Sequence, residues 1–124
     1  IKLEKTKTIN FISLNRDNHK AIEMKRVANL GLLYKSNLNV FLEENFPGST
    51  IILFGSYSYG HDTITSDIDI AIIGSKKKEV DLKDFEKMLE RVININFYDS
   101  WKDIHTELRN NILNGIILWG SVDL

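Results

Sequence analysis

The stretch Ile51-Ile52-Leu53-Phe54-Gly55-Ser56-Tyr57-Ser58-Tyr59-Gly60, followed after five residues by Ser66-Asp67-Ile68-Asp69-Ile70-Ala71-Ile72-Ile73, decides the fold. Its first four residues form a short apolar run with β-branched members, closed by Gly55, which predicts a buried strand. Residues 55–66 are rich in Gly, Ser, Thr and Tyr and predict a loop. Ile68, Ile70, Ile72 and Ile73, interleaved with Asp67, Asp69 and Ala71, predict a second strand. Residues two apart on a strand project from the same face. Asp67 and Asp69 therefore stand side by side while Ile68 and Ile70 face the core.

Two like charges so placed repel unless a cation lies between them. Hard cations such as Mg²⁺ take oxygen ligands and complete their shell with water or phosphate oxygens. The Gly55-Ser56 pair falls at a strand end, where Gly lets the backbone approach a bulky anion. The residues after it can open a helix or tight turn with free N–H groups. The Ser56 hydroxyl can bond a terminal phosphate, and Gly60 lets the loop fold back toward the carboxylates. Each part alone has a plainer meaning: a D-x-D pair is mostly surface charge, Gly-Ser a turn, Ser66 a cap. In this order and spacing they predict a phosphate cradle beside a metal pair, suited to phosphoryl or nucleotidyl transfer by in-line displacement.

Working outward, Lys20 to Lys35 has helical spacing, with Ala21, Met24, Val27, Ala28, Gly31, Leu32 and Tyr34 as its apolar stripe. Ser36-Asn37 interrupts it, and Leu38–Glu44 predicts a second helix ended by Pro47-Gly48. Upstream, Thr8–Leu14 alternates loosely and predicts an edge strand. Downstream, Asp81 begins a helix with Phe85, Met88 and Leu89 inward, and Val92–Tyr98 alternates as a third strand. That strand sets Ile93, Ile95 and Phe97 against Asn94, Asn96 and Tyr98. A last helix carries Ile104, Leu108 and Ile112, and Ile116–Trp119 predicts a terminal strand. The expected class is α/β (α+β), a small mixed sheet with helices packed on one side. Residues 1–19 read as the tail of an N-terminal element and 20–124 as the main domain.

Composition narrows the function. Of 124 residues, 16 are Lys or Arg and 17 Asp or Glu, a net charge of -1, which argues against a nucleic-acid-binding surface over the whole protein. The chain has no Cys, so disulfides and thiolate metal sites are excluded. His19, His61 and His105 are too scattered for a zinc site. No apolar run approaches a membrane span, and with no signal-peptide pattern a cytoplasmic location is expected. The chain opens on Ile rather than Met, from which an upstream segment is expected.

The pattern Gly55-Ser56-x3-Gly60-x5-Ser66-Asp67-x-Asp69 resembles the signature of the DNA polymerase β-like nucleotidyltransferase superfamily, in its minimal nucleotidyltransferase branch. The resemblance covers roughly residues 49 to 119, by pattern rather than alignment. It implies the nucleotidyltransferase fold. It also implies transfer of an NMP, AMP above all, from NTP to an acceptor hydroxyl, with ATP as substrate and Mg²⁺ (or Mn²⁺) as cofactor. Asp67 and Asp69 would hold the metal, and Gly55, Ser56, Gly60 and Ser66 the nucleotide. Several members pair with a helical HEPN-type protein as toxin–antitoxin systems, in some of which the acceptor is on that partner. Residues 11–15 and the helix after them are similar to archaeal proteins with a winged-helix DNA-binding domain ahead of a nucleotidyltransferase. Residues 1–15 would then end a wing. The partners expected are thus a nucleotide, a HEPN-type protein, DNA through the winged helix, and a second copy of the chain.

The family's third carboxylate, on a later strand, is the point of departure. The predicted strand offers Asn94 and Asn96 on its polar face, and spacing to Leu108-Arg109 selects Asn96 for the catalytic position. An amide is a neutral ligand and not a base. Asp99 substitutes only if a bulge turns it. Tyr59 stands where the family often has a basic residue, so Lys76–Lys78 or Arg109 would have to supply charge to the phosphates. The alternative function is a catalytically impaired nucleotide-binding regulatory module attached to a DNA-binding winged helix. His61-Asp62 reads as an exposed loop dipeptide, His105 as a helix-surface group, and Asp103 and Glu107 as a solvated face. Trp101 and Trp119 read as core or interface anchors.

Overall fold

The computed structural model describes the backbone from residue 2 and side chains from residue 18 onward. Helix α1 (Lys2–Ser36) is followed by α2 (Leu38–Asn45), and the break falls at Asn37, whose φ of 65° leaves the helical region. Asn is among the few residues that take this left-handed conformation readily. Strand β1 (Thr50–Phe54), the one-turn helix α3 (Ser56–Tyr59) and strand β2 (Ile68–Ile73) come next. Helix α4 (Lys83–Leu89) leads to β3 (Ile93–Tyr98). A 3₁₀ turn (Trp101–Asp103), α5 (Thr106–Leu113) and β4 (Ile116–Trp119) complete the chain.

The four strands form one mixed sheet in the order β3-β2-β1-β4. β1 is antiparallel to β2 and to β4, while β2 and β3 are parallel. Both central strands are apolar nearly throughout, and both faces of the sheet are covered. On one face Ile51, Leu53, Ile68, Ile70, Ile72 and Ile93 join Leu33 of α1, Leu38 and Leu42 of α2 and Leu89 of α4 in a continuous core. On the other, Ile52, Phe54, Ala71 and Ile73 meet Trp101, Ile104 and Ile112. The helices expected on one side are thus present, with a second layer on the far side that the expectation did not include. Leu108 packs at the edge of that second cluster.

Three local expectations change. The strand expected over Thr8–Leu14 falls within α1. The reading of residues 1–15 as the end of a wing lies outside the described side chains. The apolar stripe of α1 points outward: Met24 is 63% and Val27 68% exposed, with Leu32 and Tyr34 also exposed, while Asn29, Leu33 and Ser36 are buried. Met88 of α4 is likewise exposed. Of the two tryptophans, Trp101 is in the core and Trp119 is exposed.

Candidate active site

The site begins where β1 ends. In the β1–β2 pairing Phe54 lies opposite Asp69, so the next residue, Gly55, turns beside that carboxylate. Gly55 has φ 81° and ψ -170°, a region reserved for glycine. A Cβ there would stand 2.7 Å from Asp69 Oδ2. The glycine thus brings the backbone against the acid. Ser56 and Tyr57 then open α3, and their N–H groups, at a helix start, lack intrahelical acceptors. The turn is held from within, because Ser58 donates to the Gly55 carbonyl through both its N–H (3.0 Å) and its hydroxyl (2.6 Å).

Asp67 precedes β2 and Asp69 lies in it. Their side chains share one donor: Asn94 Nδ2 lies 2.8 Å from Asp67 Oδ2 and 3.4 Å from Asp69 Oδ1. This fixes both carboxylates on one face, as the period-two argument requires. It also corrects the third position. In the parallel β2–β3 register Asn94 is opposite Asp69, whereas Asn96 is opposite Ala71, one side-chain repeat further from the pair. Asn94, read only as a polar-face residue, is the amide that bonds both acids. Asp99 follows the end of β3, five residues beyond Asn94 and so roughly 16 Å along the strand, and does not substitute. Lys76–Lys78 follow Gly74 beyond that same end of the sheet, and Lys78 Nζ lies 3.5 Å from Asn45 Oδ1.

Electrostatics set Asp69 apart from its surroundings. Partial burial raises the Asp69 pKa above the ordinary carboxylate value. The Asn94 hydrogen bond opposes that shift and the Asp67 charge adds to it. The Asn94 amide group sits where a cation would neutralise both acids. Asn can also turn its amide so that Oδ1 faces the pair. Two carboxylates and one amide oxygen then make an all-oxygen set that leaves places for water and phosphate, which fits Mg²⁺ or Mn²⁺. Among the described residues no three His, Cys, Asp or Glu side chains come together, so the pair has no third acid.

The other expected residues play different parts. The Ser66 hydroxyl accepts from the Thr63 N–H at 2.9 Å, and the Ser66 N–H donates to the Thr63 carbonyl at 3.1 Å, closing the turn before Asp67. Gly60 (φ 74°) is the left-handed residue that ends α3. It lies on α1, where a Cβ would come 2.5 Å from the Ile22 carbonyl oxygen and 2.9 Å from the Arg26 nitrogen. Tyr59, in place of a basic residue, donates its hydroxyl to the Asn111 carbonyl at 3.3 Å and ties α3 to α5. Arg109 is half-buried, and its Nε has no hydrogen-bond partner among the described residues.

Asp62 departs furthest from expectation. It is 3% exposed rather than a loop-surface residue. Asn29 Nδ2 donates to its Oδ1 at 2.8 Å and Arg91 Nη2 to its Oδ2 at 3.0 Å, while Lys25 Nζ stands 3.3 Å from Oδ1 and donates to its main-chain carbonyl. Burial alone would raise its pKa. Hydrogen bonds from Arg91, Asn29 and Lys25 outweigh it and hold the group below the usual carboxylate value. No composition or spacing signal marks this residue. His61 and His105 are exposed as expected. Among the described residues no helix is long and apolar enough to cross a membrane.

Residues 35–118 match the family model described as "Nucleotidyltransferase domain". The chain belongs to this nucleotidyltransferase family. The match begins at the end of α1 and runs almost to the end of β4, so it holds every residue of the site. No curated protein matches the chain. Among solved structures, the nucleotidyltransferase chain is similar to one titled "Crystal structure of the toxin-antitoxin with AMP-PNP". The likeness has 26% identity and a TM-score of 0.49, covering 69% of this chain and 73% of that one. It is also similar to a mutant of the toxin–antitoxin MntA-HpeT, with 24% identity, a TM-score of 0.49 and the same coverage.

Proposed function

We propose that this nucleotidyltransferase moves AMP from ATP to an acceptor hydroxyl on a partner protein, in the cytoplasm, with Mg²⁺ (or Mn²⁺) held by Asp67 and Asp69. One observation carries the reading: a single amide, Asn94, lies within reach of both carboxylates beside a glycine turn that touches Asp69. Gly55 and the N–H groups of Ser56 and Tyr57 would cradle the phosphates, with the Ser56 hydroxyl on a terminal oxygen. A bound divalent ion would offset charge developing on the phosphate oxygens. The acceptor oxygen attacks the α-phosphorus, the α–β P–O bond breaks, and pyrophosphate leaves. Asn94 cannot take the acceptor's proton, which passes to solvent. The exposed apolar stripe of α1 (Met24, Val27, Leu32, Tyr34) supports a protein partner of the HEPN type or a second copy of the chain.

The amide at the third position favours a second reading. The domain would bind nucleotide and metal without transfer and serve as a regulatory module for a DNA-binding winged helix upstream. Labelled ATP, Mg²⁺ and the partner separate the two. Label passed to the partner by wild type, and lost in Asp67→Ala and Asp69→Ala, supports the transferase. Asn94→Asp supplies the missing base and is expected to raise the rate by about 10²-fold, while Asn96→Asp, opposite Ala71, changes little. Nucleotide binding without transfer in both wild type and Asn94→Asp would establish the module instead.

A further inference from the structure

We propose that Asp62 is a positioning residue that fixes the metal-binding edge against α1. The inference rests on the metal-site reading above. Asp62 lies five residues before Asp67, in the loop from α3 to β2, and touches neither metal-site acid in the hydrogen-bond network. What it does is join the three pieces from which the site is assembled.

The first piece is the Gly55-Ser56 turn. Asn29 of α1 uses one amide nitrogen for both Asp62 Oδ1 and the Tyr57 carbonyl (3.1 Å), and Tyr57 returns its hydroxyl to the Asn29 carbonyl (3.1 Å). The second piece is the approach to Asp67, pinned at Asp62 itself and at Gly60, whose backbone lies directly on α1. The third is the strand bearing Asn94. Arg91, three residues before Asn94, ends on Asp62 Oδ2. One carboxylate thus links α1, the loop and the entry to β3. Its side chain is wholly buried, and the Arg91 side chain is only 15% exposed.

A buried anion facing two cations cannot be neutralised without leaving charge unpaired. The link is therefore stiff, which is what two repelling acids need if they are to be held close before a metal arrives. It also accounts for the buried Asn29 on α1, with Lys25 reaching Asp62 from the rim and Met24 and Val27 left outside. The tether and the buried Leu33, rather than the Met24–Val27 stripe, set the face.

The test measures Mn²⁺ affinity by electron paramagnetic resonance, together with thermal stability, in wild type, Asp67→Ala, Asp62→Asn and Lys25→Met. Asp62→Asn is expected to weaken Mn²⁺ binding by about tenfold or more, the usual scale for a supporting residue, and Asp67→Ala to remove it. Lys25→Met, at a partly exposed position, is expected to fold normally and weaken binding by a smaller factor in the same direction. A merely structural role predicts lower stability with Mn²⁺ affinity unchanged, and that result in Asp62→Asn would overturn the proposal. Should Asp62→Asn not fold, unchanged affinity in Lys25→Met would overturn it. Wild-type protein that holds no Mn²⁺ would sink the metal-site reading itself, a different outcome from wild-type binding that Asp62 does not influence.

Discussion

At the scale of single residues, the site is a compromise between stability and chemistry. Asp69 is half-buried beside another acid, and its pKa is raised by burial first and by the Asp67 charge second, against the Asn94 hydrogen bond. For an acid, a folded-state pKa above the unfolded one means that ionisation costs stability. The cost is absent below the unfolded value, grows as pH rises from there to the folded value, and is complete above it. Asp69→Asn is therefore expected to raise the melting temperature of the metal-free protein slightly at neutral pH. The gain should vanish in acid, where both forms are uncharged, and melting curves at the two pH values check it. Asp62 has the opposite sign. Its pKa is lowered despite burial, so it stabilises the fold at neutral pH and that contribution fades as pH falls through its folded value. The shared face of Asp67 and Asp69 was legible because period-two spacing fixes which side chains project together. Asn94 was not singled out because choosing between Asn94 and Asn96 needs the β2–β3 register, and register is set across strands rather than along one. Asp62 was invisible for a similar reason, since its three partners come from distant parts of the chain.

At the scale of elements, the strands were readable and the packing of α1 was not. β1, β2, β3 and β4 appear within a residue or so of where alternation and apolar runs place them. Burial dominates a central strand, so its sequence reports its environment. α1 differs, because Asn29, Leu33 and Ser36 are the buried residues while Met24, Val27, Leu32 and Tyr34 face out, so the stripe read from spacing reports the wrong face. Two glycines show how the helix is used. Gly31 lies within α1 with open space around its missing side chain, whereas Gly60 is pressed on the α1 backbone in a left-handed conformation. Gly31→Ala is expected to stabilise the protein by about 1 kcal/mol through helix propensity. Gly60→Ala should destabilise it by at least about 1–2 kcal/mol for the conformation alone, with the contact against Ile22 and Arg26 added. Urea midpoints for the pair check both signs.

At the scale of the whole molecule, one sheet is clamped between two apolar clusters that share no residue. Leu42 is fully buried in the first and Ile112 in the second. Leu42→Ala and Ile112→Ala are each expected to cost about 2–5 kcal/mol. Because both faces belong to the same four strands, each variant should melt in one cooperative transition, and the double variant should lose close to the sum. Two resolved calorimetric transitions would contradict this. The pairing of Phe54 with Asp69 also bears on folding. A slip of one position between β1 and β2 would turn Asp67 and Asp69 into the oily interior and push Ile68 and Ile70 out. The alignment that seats the acid pair at the rim is thus the same one that keeps charge out of the interior, so a mis-threaded chain would forfeit its stability together with its paired carboxylates.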